Sequence, residues 1–157
     1  EIQDEPWVDT VLVFLYTGFR LMELLNMQTE QVDLQQKTFQ GGIKTAAGKG
    51  RIVPIHPKIL PFVQAWAQHG HKYLLTADGK KLSKQKYYEC WAEVMDRIGA
   101  DKTPHEARHT FETSLDNAKA NRKCIDLLMG HKSKDVGNRV YNHKTLEQLR
   151  ETILLLE

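Results

Sequence analysis

The sequence feature that most constrains the fold is a strongly marked helix start at residue 103. Thr103 is a preferred N-cap residue, Pro104 is favoured at the first helical position, and Glu106 completes a capping box. At about 100° per residue, apolar side chains then recur along one stripe of the helix. That stripe consists of Ala107, Phe111, Leu115 and Ala118. The pattern therefore predicts a helix over residues 104–118 with one buried side.

The same helix begins with two histidines and an arginine. His105 and His109 lie on the side opposite the predicted buried stripe, and Arg108 lies between the two sides. The segment H-E-A-R-H also fits the zinc-protease pattern H-E-x-x-H, in which the histidines bind the metal and the glutamate is the base. Against that interpretation, Pro104 leaves no helical turn before the motif, Arg108 places a positive charge beside a dication, and the cap already accounts for Glu106. We therefore predict a functional site without a metal.

Five short segments stand out along the chain, and H-E-A-R-H is the third of them. The others are T-G-F-R-L-M-E-L-L, I-K-T-A-A-G-K-G-R-I-V-P, L-M-G-H-K-S and V-Y-N-H. In sequence order, the five resemble the first arginine box, the β-hairpin lysine segment, the H-x-x-R-H box, the histidine box and the nucleophile box of tyrosine recombinases. This is the phage and transposon integrase family. The resemblance covers essentially the whole chain.

The resemblance implies that the reacting group is a phosphodiester. In this family pattern Arg20 and Arg108 fork onto the non-bridging oxygens and stabilise the charge that grows in the transition state. Tyr141 is the expected nucleophile, and its 3′-phosphotyrosine conserves the bond energy for rejoining. Glu23 follows Arg20 by about one helical turn and is expected to hold its side chain.

The resemblance assigns the proton transfers to histidines and a lysine. His105 is the expected base for the tyrosine hydroxyl, whose ordinary pKa of about 10 disfavours ionisation at neutral pH. Lys44 matches the hairpin lysine that protonates the leaving 5′-oxygen, and Lys49 in the turn is a second candidate for that role. His131 is expected to hydrogen-bond a non-bridging oxygen, with capping of free helix carbonyls as the structural alternative. His109 is expected to orient the helix.

Charge is distributed unevenly along the chain, although the net charge is only +2. Residues 1–33 carry seven acidic side chains and one arginine, an excess of −6, whereas residues 34–88 carry ten basic side chains and one aspartate, an excess of +9. Such a basic block suggests a surface that faces phosphates, and a solvated lysine-rich face is the simpler alternative. The predicted contacts with the DNA backbone are Lys49, Arg51, Lys80, Lys81, Lys84, Lys86 and Lys132.

Length and composition are those of one globular domain over residues 1–157, with 41% hydrophobic and 27% charged residues. The longest apolar run, residues 11–16, is far too short to span a bilayer, and two cysteines are too few for a disulfide framework. We therefore expect a protein of the bacterial cytoplasm that needs no cofactor. Because family members usually carry an N-terminal DNA-clamping domain, we expect this chain to be the catalytic fragment of a longer protein.

Hydrophobic periodicity predicts a mostly helical α+β fold with a small antiparallel sheet, which the resemblance identifies as the integrase catalytic-domain fold. Helices are predicted over residues 6–16, 20–27, 57–68, 84–98, 104–118 and 122–129, and another begins at Ser133. Strands are predicted between residues 32 and 55, and residues 73–75 form an extended segment before a turn. The tail carries an apolar helical stripe that would pack on its own domain or on a neighbouring protomer. That stripe consists of Leu146, Leu149, Ile153 and Leu156.

The function implied by the resemblance is site-specific DNA recombination through a covalent phosphotyrosine. The expected partners are double-stranded DNA, other recombinase protomers in a tetrameric synaptic complex, and an accessory DNA-bending protein, with no membrane. Three alternatives stay open from the residues alone: a type IB topoisomerase, a catalytically inactive DNA-binding relative, and a zinc metalloprotease.

Overall fold

The structure, a computed structural model, describes residues 7–40, 51–131 and 143–157, with side chains in the last part from residue 146 onward. Several predicted features lie outside these residues. They are the hairpin turn with Lys44 and Lys49, the basic residue Lys132, the helix from Ser133 and the candidate nucleophile Tyr141.

The described residues are mostly helical, as predicted. The helices are α1 Val8–Thr17, α2 Leu21–Leu25, α3 Leu60–Gln68, α4 Lys84–Ile98, α5 Pro104–Asn117, α6 Arg122–Met129 and α7 His143–Ile153, with a 3-10 turn at Thr29–Gln31. The strands are β1 Val32–Asp33, β2 Thr38–Gln40, β3 Ile52–Pro54, β4 Thr76–Ala77 and β5 Lys80–Lys81.

The strands form two small antiparallel sheets. The larger has the order β1–β2–β3, and Phe39 of β2 pairs with Val53 of β3. Both side chains are 1% exposed, so one face of this sheet lies on the core. The smaller sheet is the β4–β5 hairpin. Its strands flank the predicted turn, whereas in the predicted extended segment before it Tyr73 makes only an isolated bridge to Gln28.

The helix caps confirm the boundaries predicted from local sequence. Thr103 Oγ1 accepts the Glu106 N–H at 3.2 Å, and the Glu106 carboxylate accepts the Thr103 N–H at 2.7 Å. Ser83 and Asn121 cap α4 and α6 in the same way, through their side-chain oxygens. One prediction was wrong: Ala118 is exposed and does not continue the buried stripe, because α5 has already ended and the backbone no longer follows the helical period.

The end of α1 packs directly on α5 through a glycine. Gly18 ends α1 with a left-handed φ of +67°, and a Cβ built on it would lie 2.4 Å from the Cδ1 atom of Phe111. Phe111 is fully buried in the core. Since Arg20 follows Gly18 by two residues, this contact places the first arginine box against the helix that carries Arg108.

The last helix packs on its own domain. It lies against β3 and α6, and Arg150 donates to the Gln36 carbonyl at 2.5 Å. Leu154 and Leu155 lie off the buried stripe and are 59% and 45% exposed. The buried stripe consists of Leu149, Ile153 and Leu156. In the single chain the tail therefore packs on its own domain through these three residues, whereas Leu146, which was predicted to belong to the stripe, is only partly buried.

Within residues 7–40, 51–131 and 143–157, no helix combines the length and apolar character that a bilayer crossing requires.

His56 holds the end of the tail in the interior. Its Nδ1 accepts the Lys58 backbone N–H at 3.0 Å, so Nε2 carries the proton and donates to the Leu156 carbonyl at 3.0 Å. The side chain is 5% exposed. Burial lowers the pKa of His56, the nearby Lys58 charge lowers it further, and the Leu156 carbonyl opposes both. The neutral tautomer is thus the form that fits the fold.

Gly18→Ala is predicted to destabilise the domain more than Gly99→Ala. Both glycines end helices at a φ of +67°, but nothing lies within 4 Å of a Cβ on Gly99. The two variants share the cost of a left-handed residue, about 1–2 kcal/mol. Only Gly18→Ala also crowds the buried Phe111 ring, which adds about 1–3 kcal/mol. Thermal unfolding would measure the difference, and equal melting temperatures would contradict the close approach of α1 and α5.

The pH dependence of stability is predicted to change when His56 is replaced by glutamine, which keeps a donor and an acceptor but does not titrate. Because the folded-state pKa is lowered, the contribution of His56 is fully present above the unfolded-state value of about 6.5. It is lost as the pH falls through the folded-state value. Melting temperatures measured from about pH 8 to 5 should therefore fall more steeply in the wild type. Parallel curves would contradict a His56 that the fold holds in its neutral form.

Candidate active site

Glu23 is a buried carboxylate that gathers three arginines. It lies in the first turn of α2 with 7% exposure, and its Oε1 accepts the Arg20 backbone N–H at 3.1 Å and Arg20 Nη1 at 3.2 Å. Its Oε2 forms an ion pair with Arg51 Nη1, and Arg108 Nη1 lies 3.9 Å from Oε1. The predicted role of Glu23 in holding Arg20 is therefore seen, and the same carboxylate also orders two further guanidiniums.

Arg108 is more deeply placed than the sequence indicated. Its side chain is 6% exposed, and it donates from Nη1 to the Gly18 carbonyl at 2.5 Å and from Nη2 to the Met129 carbonyl at 2.8 Å. Burial lowers the pKa of Arg108 to about 10, helped by the charges of Arg20 and Arg51 and opposed by Glu23. The group is still a cation at neutral pH. Since a guanidinium has five N–H donors, the two carbonyls leave others for a phosphate.

Arg20 supplies the accessible charge of this cluster. Its side chain is 53% exposed, while the Glu23 carboxylate that fixes it is 7% exposed. Arg20 and Arg108 approach the same Glu23 oxygen, so the two candidate phosphate ligands, 88 positions apart in the sequence, are neighbours in the fold.

The two histidines of H-E-A-R-H lie together on the exposed side of α5. The Nε2 atoms of His105 and His109 are 3.1 Å apart, and their ring planes meet at 82°. One ring must donate and the other accept, so His109 sets the orientation of the His105 ring directly. Glu106 is engaged in the helix cap, and the Thr103 N–H lowers the pKa of its carboxyl. No group of three or more candidate metal ligands occurs among the residues that the structure describes.

His131 follows the C-terminal glycine of α6 and is held by the same helix. Its backbone N–H donates to the Asp126 carbonyl at 3.0 Å, and its Nδ1 lies 3.4 Å from Asp126 Oδ1. Arg122 joins this carboxylate to α5, at 3.2 Å from Asp126 and 2.6 Å from Glu112. Asp126 was not predicted as the partner of His131. The contact could have been expected from the sequence, because Asp126 lies in the last turns of a helix and His131 follows that helix after a single glycine.

Arg51 is not a surface contact with DNA, contrary to the prediction. It is 2% exposed, its Nε donates to the Leu128 carbonyl at 2.9 Å, and its guanidinium lies over the Phe19 ring at 5.3 Å from the centroid. Burial excludes an arginine in this position from the duplex surface. The inward direction of Arg51 could have been predicted from strand alternation, because residues two apart in a strand share a face and Val53 is a core residue.

The lysines around β5 and the start of α4 do lie on the surface. Lys81 Nζ donates to Asn26 Oδ1 at 2.5 Å, which ties this basic segment to the end of the helix that carries Glu23. Contact of these lysines with DNA stays a prediction. The four exposed side chains are Lys80, Lys81, Lys84 and Lys86.

A buried carboxylate that orders several guanidiniums, one of them on a helix whose exposed side carries two imidazoles, has the chemistry of a phosphate-binding site. The chain belongs to the phage integrase family, whose profile matches residues 7–148. It is 30% identical over 151 residues to the tyrosine recombinase XerA of Thermococcus kodakarensis, covering 90% of this chain and 52% of that protein. It is also 30% identical over 155 residues to XerC of Proteus mirabilis, covering 89% and 48%. The chain thus spans about half the length of these relatives.

Solved structures share the fold. The integrase from mycobacterium phage Brujita superposes with a TM-score of 0.72 at 20% identity, covering 95% of this chain and 50% of that one. The Tn1549 transposon integrase, solved in complex with circular intermediate DNA, gives 0.70 at 23% identity, covering 96% and 59%. The crystal structure of XerA recombinase gives 0.71 at 23% identity, covering 95% and 58%. The predicted integrase catalytic-domain fold is therefore confirmed.

Arg20→Lys and Arg108→Lys are predicted to differ in their effect on stability. Lysine at residue 108 lacks the planar guanidinium that donates to the Gly18 and Met129 carbonyls at once. Each lost charged hydrogen bond costs about 1.5–3 kcal/mol. For a domain of this size, that lowers the melting temperature by roughly 5 °C or more, whereas the half-exposed Arg20 should change it by about 2 °C at most. Thermal unfolding checks this, and equal losses would contradict a structural role for Arg108.

Proposed function

We propose that this chain is the catalytic domain, over residues 1–157, of an enzyme for site-specific DNA recombination that acts through a 3′-phosphotyrosine. The observation that carries the proposal is the convergence of Arg20 and Arg108 on one Glu23 oxygen. Two fixed guanidiniums suit a phosphodiester because they neutralise its anionic oxygens and stabilise the charge of the five-coordinate transition state. The family match supports this function over a type IB topoisomerase or a zinc protease.

The proposed cleavage step begins at Tyr141. Its hydroxyl proton passes to His105 as its oxygen attacks phosphorus, and the bond from phosphorus to the 5′-oxygen breaks. The leaving oxygen takes a proton from Lys44, or from Lys49 if that lysine occupies the site. His131 donates a hydrogen bond to a non-bridging oxygen, and the Asp126 contact orients its ring for this purpose. A 5′-hydroxyl that attacks the phosphotyrosine reverses every transfer and rejoins the strand.

The proposed substrate is double-stranded DNA. The exposed lysines of β5 and α4 supply charge for its backbone, and the Tn1549 integrase of similar fold was solved on DNA. Strand exchange requires further protomers, and we propose a tetramer on paired sites, assisted by a DNA-bending protein, in the bacterial cytoplasm. No cofactor is proposed, because the phosphotyrosine conserves the bond energy that rejoining needs.

The variant Tyr141→Phe is predicted to abolish covalent attachment to DNA while leaving DNA affinity almost unchanged. The test uses nicked duplexes randomised on both sides of the nick, because a nick lets the cleaved fragment diffuse away and traps the adduct. The adduct is detected on a denaturing gel as a protein band that carries labelled DNA after boiling in detergent.

Tyr88→Phe is the matched control, since Tyr88 is 44% exposed and also a phenol. It should form adduct at the wild-type level. An adduct from Tyr141→Phe would refute the assignment of the nucleophile. If the wild type binds the duplexes but forms no adduct with any of them, the chain is a catalytically inactive DNA-binding relative.

A further inference from the structure

Arg51 is a buried cation in a place where an apolar side chain would be expected. It directly precedes β3, it is 2% exposed, and its guanidinium lies over the Phe19 ring. Removing a charge from water is unfavourable unless a counter-ion and hydrogen bonds compensate. The counter-ion here is Glu23, 28 residues away in the sequence. Because Glu23 also contacts the candidate phosphate ligands, Arg51 is coupled to the active site by position as well as by charge.

We infer that Arg51 is a positioning residue for strand cleavage, which engages one oxygen of Glu23 and so keeps the Arg20 and Arg108 guanidiniums available to phosphate. The inference rests on the proposed function. Oε2 of Glu23 faces Arg51, whereas Oε1 faces Arg20 at 3.2 Å and Arg108 at 3.9 Å. Among the residues that the structure describes, Glu23 without Arg51 would keep Arg20 and Arg108, the two candidate phosphate ligands, as its cationic partners.

The charge of the cluster leads to the same role. Within the described part of the chain, the three guanidiniums and the one carboxylate of this cluster leave a formal excess of two positive charges. A phosphodiester carries one negative charge and gains more as phosphorus becomes five-coordinate, so this excess matches the transition state. If Arg51 were neutral, the excess would be a single charge, and Glu23 would compete with the phosphate for the remaining two guanidiniums.

Arg51 also fixes the backbone beside the site. Its Nε donates to the Leu128 carbonyl at 2.9 Å, while Arg108 donates to the next carbonyl, that of Met129, at 2.8 Å. The adjoining Gly130 packs on Arg51, since a Cβ there would lie 3.1 Å from Nη1 and 3.2 Å from Cδ. Two arginines therefore hold the end of α6 by hydrogen bonds, two residues before His131.

The test compares Arg51→Met, Arg51→Lys and the double variant Arg51→Met with Glu23→Gln. The measured quantity is the single-turnover cleavage rate at saturating protein, on a nicked duplex that the wild type cleaves, with DNA affinity and melting temperature measured separately. Arg51→Met should cleave about 10²-fold more slowly, the size of one lost transition-state donor, with nearly unchanged DNA affinity. Arg51→Lys keeps the charge and should stay within about 10-fold of the wild type.

The double variant separates positioning from packing. Glutamine keeps an amide oxygen that can still accept from Arg20 and Arg108, but it carries no charge that draws them away from phosphate. The double variant should therefore cleave at least about 10-fold faster than Arg51→Met, although it lacks the same side chain. A role in packing alone gives no such recovery. Gly99→Ala is the stability control, since it introduces backbone strain at a glycine whose Cβ would contact nothing within 4 Å, and it should cleave at the wild-type rate when folded.

Two results would overturn the inference: wild-type cleavage by Arg51→Met, or a double variant no faster than Arg51→Met. If Arg51→Met does not fold, the double variant decides, because it replaces the buried ion pair with neutral groups. Cleavage by it within about 10-fold of the wild type supports the inference, and a loss of about 10²-fold or more overturns it. Failure of the proposed function is recognised separately, since the wild type itself would then form no adduct.

Discussion

The structure around the candidate site depends on one buried carboxylate. Glu23 is accessible to water over 7% of its surface, and such a charge persists in the interior only with compensating cations and donors. Those cations come from separate elements, with Arg20 at the start of α2, Arg51 beside β3 and Arg108 on α5. One anion therefore fixes the relative positions of three parts of the chain.

The same groups link stability to chemistry. Arg108 bridges the carbonyls of Gly18 and Met129, so the proposed phosphate ligand also joins the ends of α1 and α6 to α5. The close packing of Gly18 on Phe111 sets the separation of α1 and α5, which the hydrogen bond from Arg108 to the Gly18 carbonyl spans. Rigid placement of charge before the substrate arrives is what makes electrostatic stabilisation of a transition state effective. The core thus supplies the preorganisation that the proposed reaction requires.

His131 and α7, the described parts nearest to the proposed nucleophile in the sequence, are both held by the rest of the domain. His131 is held by Asp126, and α7 packs in cis on β3 and α6. The tail is secured by buried leucines and by the His56 contact with the Leu156 carbonyl. The exposed Leu154 and Leu155 lie outside that packing.

The amino-acid sequence by itself determined the local features: the caps at Thr103 and Asn121, the helical stripes, and the boxes that carry Arg20 and Arg108. These depend on hydrogen bonds and periodicities within a few residues, which covalent spacing dictates. Strand alternation places Arg51 on the same face as Val53, but only the tertiary structure supplies the partners that allow a charge to be buried there, because these lie 28 and 77 positions away. It likewise decided the depth of Arg108. A charged side chain is buried only where distant groups compensate its charge, and a local sequence pattern does not identify those groups.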